Sequence, residues 1–139
     1  MSESTETIFE TSTTVYAQWE EVSTENLYVS YHRGYTLLKS GKTKGFSDKN
    51  RIISEKIYVD NNSVYYLNNL SAKYGNCFYV IYNSDNEVID YQVTSEESTG
   101  EVIESIKVIM PENASYFRIA CDLNVNDKMF TVYRETIKD

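Results

Sequence analysis

A chain of 139 residues accommodates one ordinary domain. At that size folding removes roughly two-thirds of the unfolded surface from water, so no disulfide staple is required. Thirteen Tyr and five Phe beside one Pro and five Gly exclude collagen-like and low-complexity chains, while a net charge of −8 argues against a nucleic-acid partner.

In chain order, residues 1–26 come first as a Thr-, Ser- and Glu-rich stretch with six Glu and no base. Its opening, MSESTETIFETSTT, lacks the basic start and apolar core of a secretory signal, which argues against export by that route. Tails of this composition ordinarily stay disordered. Against that background Ile8, Phe9, Val15, Tyr16 and Trp19 stand out as candidate anchors of an extended assembly arm. A β-sandwich domain is expected over 27–139.

Within it, short apolar stretches alternate with turn clusters. The pattern predicts strands over 27–32, 35–40, 51–59, 64–70, 77–83, 87–93, 102–110, 115–121 and 129–134. GYTLLKSGKTKG is a basic loop with Gly at both ends. SEKIYVDNNSVYYLNNL reads as two strands about a DNNS turn, because Asn and Asp tolerate left-handed backbone and hydrogen-bond their own turn. YVIYNSDNEVIDYQV reads as a hairpin about NSDN, VTSEESTGEV as a long or mobile loop, and Pro111 as a strand end. No apolar stripe of helical period with caps appears, and no run of about eighteen apolar residues that could span a membrane as a helix.

Charge is segregated along the chain. Residues 31–56 hold seven bases against Asp48 and Glu55, and residues 84–104 hold seven acids and no base. Such blocks usually form solvated surface. The sharper alternative is that the acidic arm docks on the basic strip, in the same subunit or in a neighbour.

Few residues offer catalytic chemistry. His32 is the only histidine, and in VSYHRGY it reads as a surface strand residue rather than a catalytic base. The carboxylates are so numerous that no pair stands out as a glycosidase couple, so the chain is expected not to be an enzyme and to need no cofactor. Asn83, Asp85 and Glu87 supply alternating oxygens, yet calcium needs six to eight ligands, and an ordinary polar turn explains them better. Cys77 and Cys121 each sit in an apolar run and read as buried thiols, with a disulfide between neighbouring strands as the alternative. The tyrosines exceed what one small core requires. Core or subunit-interface packing accounts for most of them, and Tyr31, Tyr35, Tyr65 and Tyr74 are candidates for a glycan platform.

Three stretches read together carry a resemblance: KIYVDNNSVYYLNNL, CFYVIYNSDNEVIDY and IKVIMPENASYFRIACDL. They resemble the jelly-roll β-sandwich modules of structural proteins in tailed bacteriophages. Tyr82–Asn83–Ser84–Asp85–Asn86 stands where those modules carry a Tyr-Asp/Asn-x-x-Gly-like turn, with Asn86 in place of Gly. Met110–Pro111–Glu112–Asn113–Ala114–Ser115–Tyr116–Phe117–Arg118–Ile119 stands where they carry a Val-Pro-x-x-Ala-x-Tyr-x-Arg-Ile strand. The likeness covers roughly residues 51–134. It implies an all-β, antiparallel jelly-roll-like sandwich in a virion, serving as head decoration, fibre or small tail component. Other virion proteins and copies of the chain itself would be its partners. Carbohydrate-binding modules share this kind of sandwich, so a host-adhesion role toward a cell-surface glycan is the alternative.

Overall fold

A computed structural model describes residues 21–138 and contains β-strands but no helix among them. The candidate anchors Ile8, Phe9, Val15, Tyr16 and Trp19 lie outside the described residues. Twelve strands run β1 Glu21–Leu27, β2 Tyr31–Arg33, β3 Tyr35–Leu37, β4 Thr43–Gly45, β5 Arg51–Ser54, β6 Ile57–Tyr58, β7 Ser63–Ala72, β8 Cys77–Tyr82, β9 Val88–Val93, β10 Glu101–Val108, β11 Tyr116–Asp122 and β12 Thr131–Lys138. One sheet has the order β1-β12-β7-β10. A second has β2-β5-β11-β8-β9, with β6 also on β11, and β3-β4 form a separate hairpin. Every pairing is antiparallel.

The two large sheets face each other over one core. Tyr65, Leu67, Leu70, Val108 and Val132 come from the first sheet, and Ile52, Ile81, Phe117, Ile119 and Cys121 from the second. Strand β7 shows how alternation meets this core. Tyr65 and Leu67 point inward two residues apart, then Asn69 takes a positive φ of 60° and shifts the phase so that Leu70 and Ala72 point inward. A second cluster lies on the outer face of the second sheet, where Ile53, Val80, Tyr82, Tyr116 and Ala120 are covered by Leu37 of the β3–β4 hairpin. The hairpin is pinned by Tyr82, whose hydroxyl donates to the Gly41 carbonyl at 2.7 Å.

Several expected elements change shape. The boundary after residue 26 falls inside β1, which pairs along its whole length with β12. The sandwich therefore begins by Glu21. The strand expected over 27–32 is interrupted at residues 28–30, where the chain passes from one sheet to the other. The strand expected over 51–59 divides into β5 and β6, because the Ser54 hydroxyl takes the ladder position on β11: it accepts from the Ile119 amide at 3.0 Å and donates to the Glu55 carbonyl at 2.8 Å. The basic loop after Tyr35 is a hairpin closed by Leu38 and Lys42, with Gly41 at a φ of 88°. The NSDN and DNNS turns are where the sequence places them, and Asn86 adopts the positive φ, 65°, expected of it. The loop read in VTSEESTGEV is tied to the β7–β8 turn through amide bonds from Tyr74 to Ser98 and from Gly75 to Ser95.

Candidate binding site

β2 pairs only with β5, so it forms an edge of the second sheet and its three side chains face solvent. The link 28–30 runs beside the β5–β6 break, held by the Glu55 amide donating to the Ser30 carbonyl at 2.8 Å. These two irregular segments bound a groove of about 340 Å3 lined by Leu27 to Ser30 on one side and Glu55 to Tyr58 on the other. Tyr28 is 91% exposed and Tyr58 is 67% exposed. Neither ring is buried.

Glu55 is the electrostatic centre of this edge. His32 Nε2 donates to its Oε2 at 2.6 Å, and the Arg118 guanidinium lies 3.6 Å from its Oε1. The imidazole hydrogen bond, with help from Arg118, holds the Glu55 carboxyl below the usual carboxylate range despite some opposing desolvation. Beyond Glu55 a shallow depression of about 250 Å3 is lined by His32, Tyr35, Thr43, Ile53 and Arg118. Aromatic stacking continues the edge onto the sheet face. Tyr58 lies 5.9 Å from Tyr116, which stacks on Tyr82 at 4.5 Å, and the Lys56 ammonium sits over the Tyr116 ring at 4.8 Å. The Tyr116 hydroxyl donates to Asn86 Oδ1 at 2.8 Å, so the turn that positions Asn86 also orients this ring.

The four tyrosines expected to form a glycan platform do not form one surface. Tyr31 and Tyr35 are both exposed and lie on either side of His32, with the His32 and Tyr35 rings edge to face at 6.4 Å. Tyr74 is exposed in the β7–β8 turn, on a separate groove with Lys44, Phe46 and Arg51. Tyr65 must be removed from the set. It is fully buried between the sheets, edge to face with Phe117 at 5.2 Å, and its hydroxyl accepts from the Asp60 amide at 2.8 Å. The alternation of β7 turns it inward and its neighbour Tyr66 outward. Tyr28 and Tyr58, the most exposed tyrosines at the edge, lie outside the four platform candidates. Their only signal is position: each lies where a strand breaks.

The oxygens of Asn83 and Glu87 serve their own turn. Asn83 Oδ1 accepts the amides of Asp85 and Glu87 at 2.9 Å each, and Asn83 Nδ2 donates to Glu87 Oε1 at 2.9 Å. Among the described residues no group of three or more His, Cys, Asp or Glu side chains gathers where it could hold a metal ion. Both cysteines are free and buried; burial pushes each thiol up to about 11. Comparison with models of known families, with curated proteins and with solved structures finds no match to this chain.

Proposed function

We propose that the chain is a non-enzymatic structural protein of a tailed-phage virion, a decoration, fibre or small tail component that attaches to the particle and associates with copies of itself. The observation that carries this reading is the strand order. In the order β1-β12-β7-β10 the first strand lies beside the last and the last beside one from the middle, and β5-β11-β8-β9 likewise sets an early strand beside a late one and the late one beside one from the middle. Two sheets interleaved in that way support a jelly roll built of paired Greek keys. They agree with the phage-module resemblance of the segments at β6–β11. The acidic character of residues 1–26 beside the basic block at 31–56 supports association by charge complementarity.

Light scattering on the full chain and on a chain starting at Glu21 tests the proposal. Association of the full chain, with a folded monomer from the shorter one, supports it. Identical monomers from both remove self-association through residues 1–20.

A second reading, host adhesion by saccharide binding, is favoured by a separate observation: Tyr28, Tyr31, Tyr35 and Tyr58 are exposed on the segments around the His32–Glu55 pair.

A further inference from the structure

We infer that the groove between Tyr28 and Tyr58, with Glu55 at its side, is a binding site for a neutral pyranose oligosaccharide. The inference rests on the adhesion reading and specifies its site and its ligand.

Three features of the groove select this chemistry. First, two tyrosine rings stand in water at the borders of one concave surface, and neither is buried. The C–H face of a pyranose stacks on such a ring, while the phenol hydroxyl remains wetted and free to bond a sugar hydroxyl. Second, the groove sets polar groups, Glu55 foremost, beside the aliphatic side chains of Leu27, Val29 and Ile57. An ionised carboxylate offers about four acceptor positions, and the contacts to His32 and Arg118 occupy one on each oxygen of Glu55. The remaining capacity suits the hydroxyl donors of a sugar. His32 and Arg118 hold the carboxylate in place, so little ordering is left for the ligand to impose. Third, the size is right. About 340 Å3 lies at the lower end of the roughly 300–1,000 Å3 typical of small-molecule sites.

The same carboxylate sets the charge preference. A uronate or sialate entering the groove would bring its own negative charge against Glu55, whose Arg118 and His32 partners are already engaged with it, while the Lys56 ammonium is turned onto the Tyr116 ring. A neutral hexose meets no such repulsion. A flat protein surface is a poorer occupant, because the groove is a short concavity bounded by two projecting rings rather than a broad apolar patch.

The test is titration of the isotope-labelled full chain with maltohexaose, cellohexaose and chitohexaose, and with tetragalacturonate as the acidic counterpart, followed through backbone amide shifts. At least one neutral oligomer is expected to shift amides at 27–30 and 55–58. Tyr28→Ala and Tyr58→Ala should each weaken that binding about tenfold. Tyr91→Ala, at the opposite edge of the same sheet, should leave it unchanged. Each variant's unperturbed amide spectrum elsewhere certifies its fold. Four results with sugar overturn the inference. They are silence toward all neutral oligomers, shifts that map elsewhere, binding that survives both Tyr→Ala changes, and tighter binding of the galacturonate. Shifts at the groove that follow protein concentration without sugar also overturn it, since a second copy would then be the occupant. The results with sugar do not bear on light scattering of the chain starting at Glu21, so the assembly reading stands or falls separately.

Discussion

Ser71 and Asp122 exchange two hydrogen bonds across the sandwich: the Ser71 hydroxyl accepts from the Asp122 amide at 2.7 Å and donates to the Asp122 carbonyl at 3.2 Å. Ser71 belongs to the first sheet and Asp122 to the second, so one buried side chain completes the backbone bonding of the other sheet's central strand. Removing the hydroxyl leaves the buried Asp122 amide without a partner, while its carbonyl keeps the amides of Val125 and Asn126. Ser71→Ala should lower unfolding stability by about 1–3 kcal/mol in urea titration. A change within error would show that water replaces the hydroxyl.

The β3–β4 hairpin depends on the close approach of Gly41 to the sheet. A Cβ there would come within 2.5 Å of Val88 Cγ2 and 2.9 Å of Tyr82 Cε2, and the φ of 88° strains any L side chain. Gly41→Ala should cost about 2–4 kcal/mol. Tyr82→Phe removes only the hydrogen bond to Gly41 and should cost about 1 kcal/mol in the same urea titration. The opposite ranking would mean that the hairpin lifts away without loss.

Much of this architecture could be read in advance, and the exceptions share a cause. The turn from Asn83 to Asn86 could be recognised because the Asn83 side chain bonds its own turn, which is local chemistry. β1 could not: EVSTENL carries no apolar alternation, and its place comes from pairing with β12, more than a hundred residues away, reinforced by an ion pair between Glu25 and Arg134. The same holds for Tyr65. VYYLNNL offers two tyrosines in opposite phases, and only the facing sheet decides which is buried. The binding groove was hardest to foresee, since it exists where β1–β2 and β5–β6 are both interrupted, and neither break is marked by Gly or Pro.

Tyr65 gives that burial a measurable form. Tyr65→Phe should cost about 1 kcal/mol through the lost bond to the Asp60 amide, and Tyr65→Ala about 3–5 kcal/mol through the cavity it leaves. Calorimetric or urea unfolding of both variants provides the check. Near-equal losses would place the ring outside the core.

The Glu55 carboxyl should titrate below its ordinary value of 4.5, chiefly because His32 donates to it. Its folded value is depressed, so its contribution to stability is complete above the unfolded value and is lost as pH falls through the folded one. Carbon-13 NMR of the carboxyl follows this directly. His32→Ala should move the titration upward toward the ordinary range, and an unmoved curve would show that the hydrogen bond to His32 is not its cause.

Cys77 and Cys121, held as thiols near 11 by burial, should ignore a thiol-specific reagent at neutral pH in the folded protein. In urea both should react at once. Rapid labelling of either in the native state would show that its strand opens readily.

Glu21 and Lys138 are register partners at the outer end of the β1–β12 ladder, with Leu27 and Val132 at the other. A load carried through these two positions therefore meets the ladder's hydrogen bonds one after another, starting with the outermost. Strands pulled in that direction peel at low force, whereas strands slid along one another must break all their bonds together. A tether fixed at the corner from which both ends of the described chain emerge would thus yield by peeling β1 before it disturbed the packed sheets.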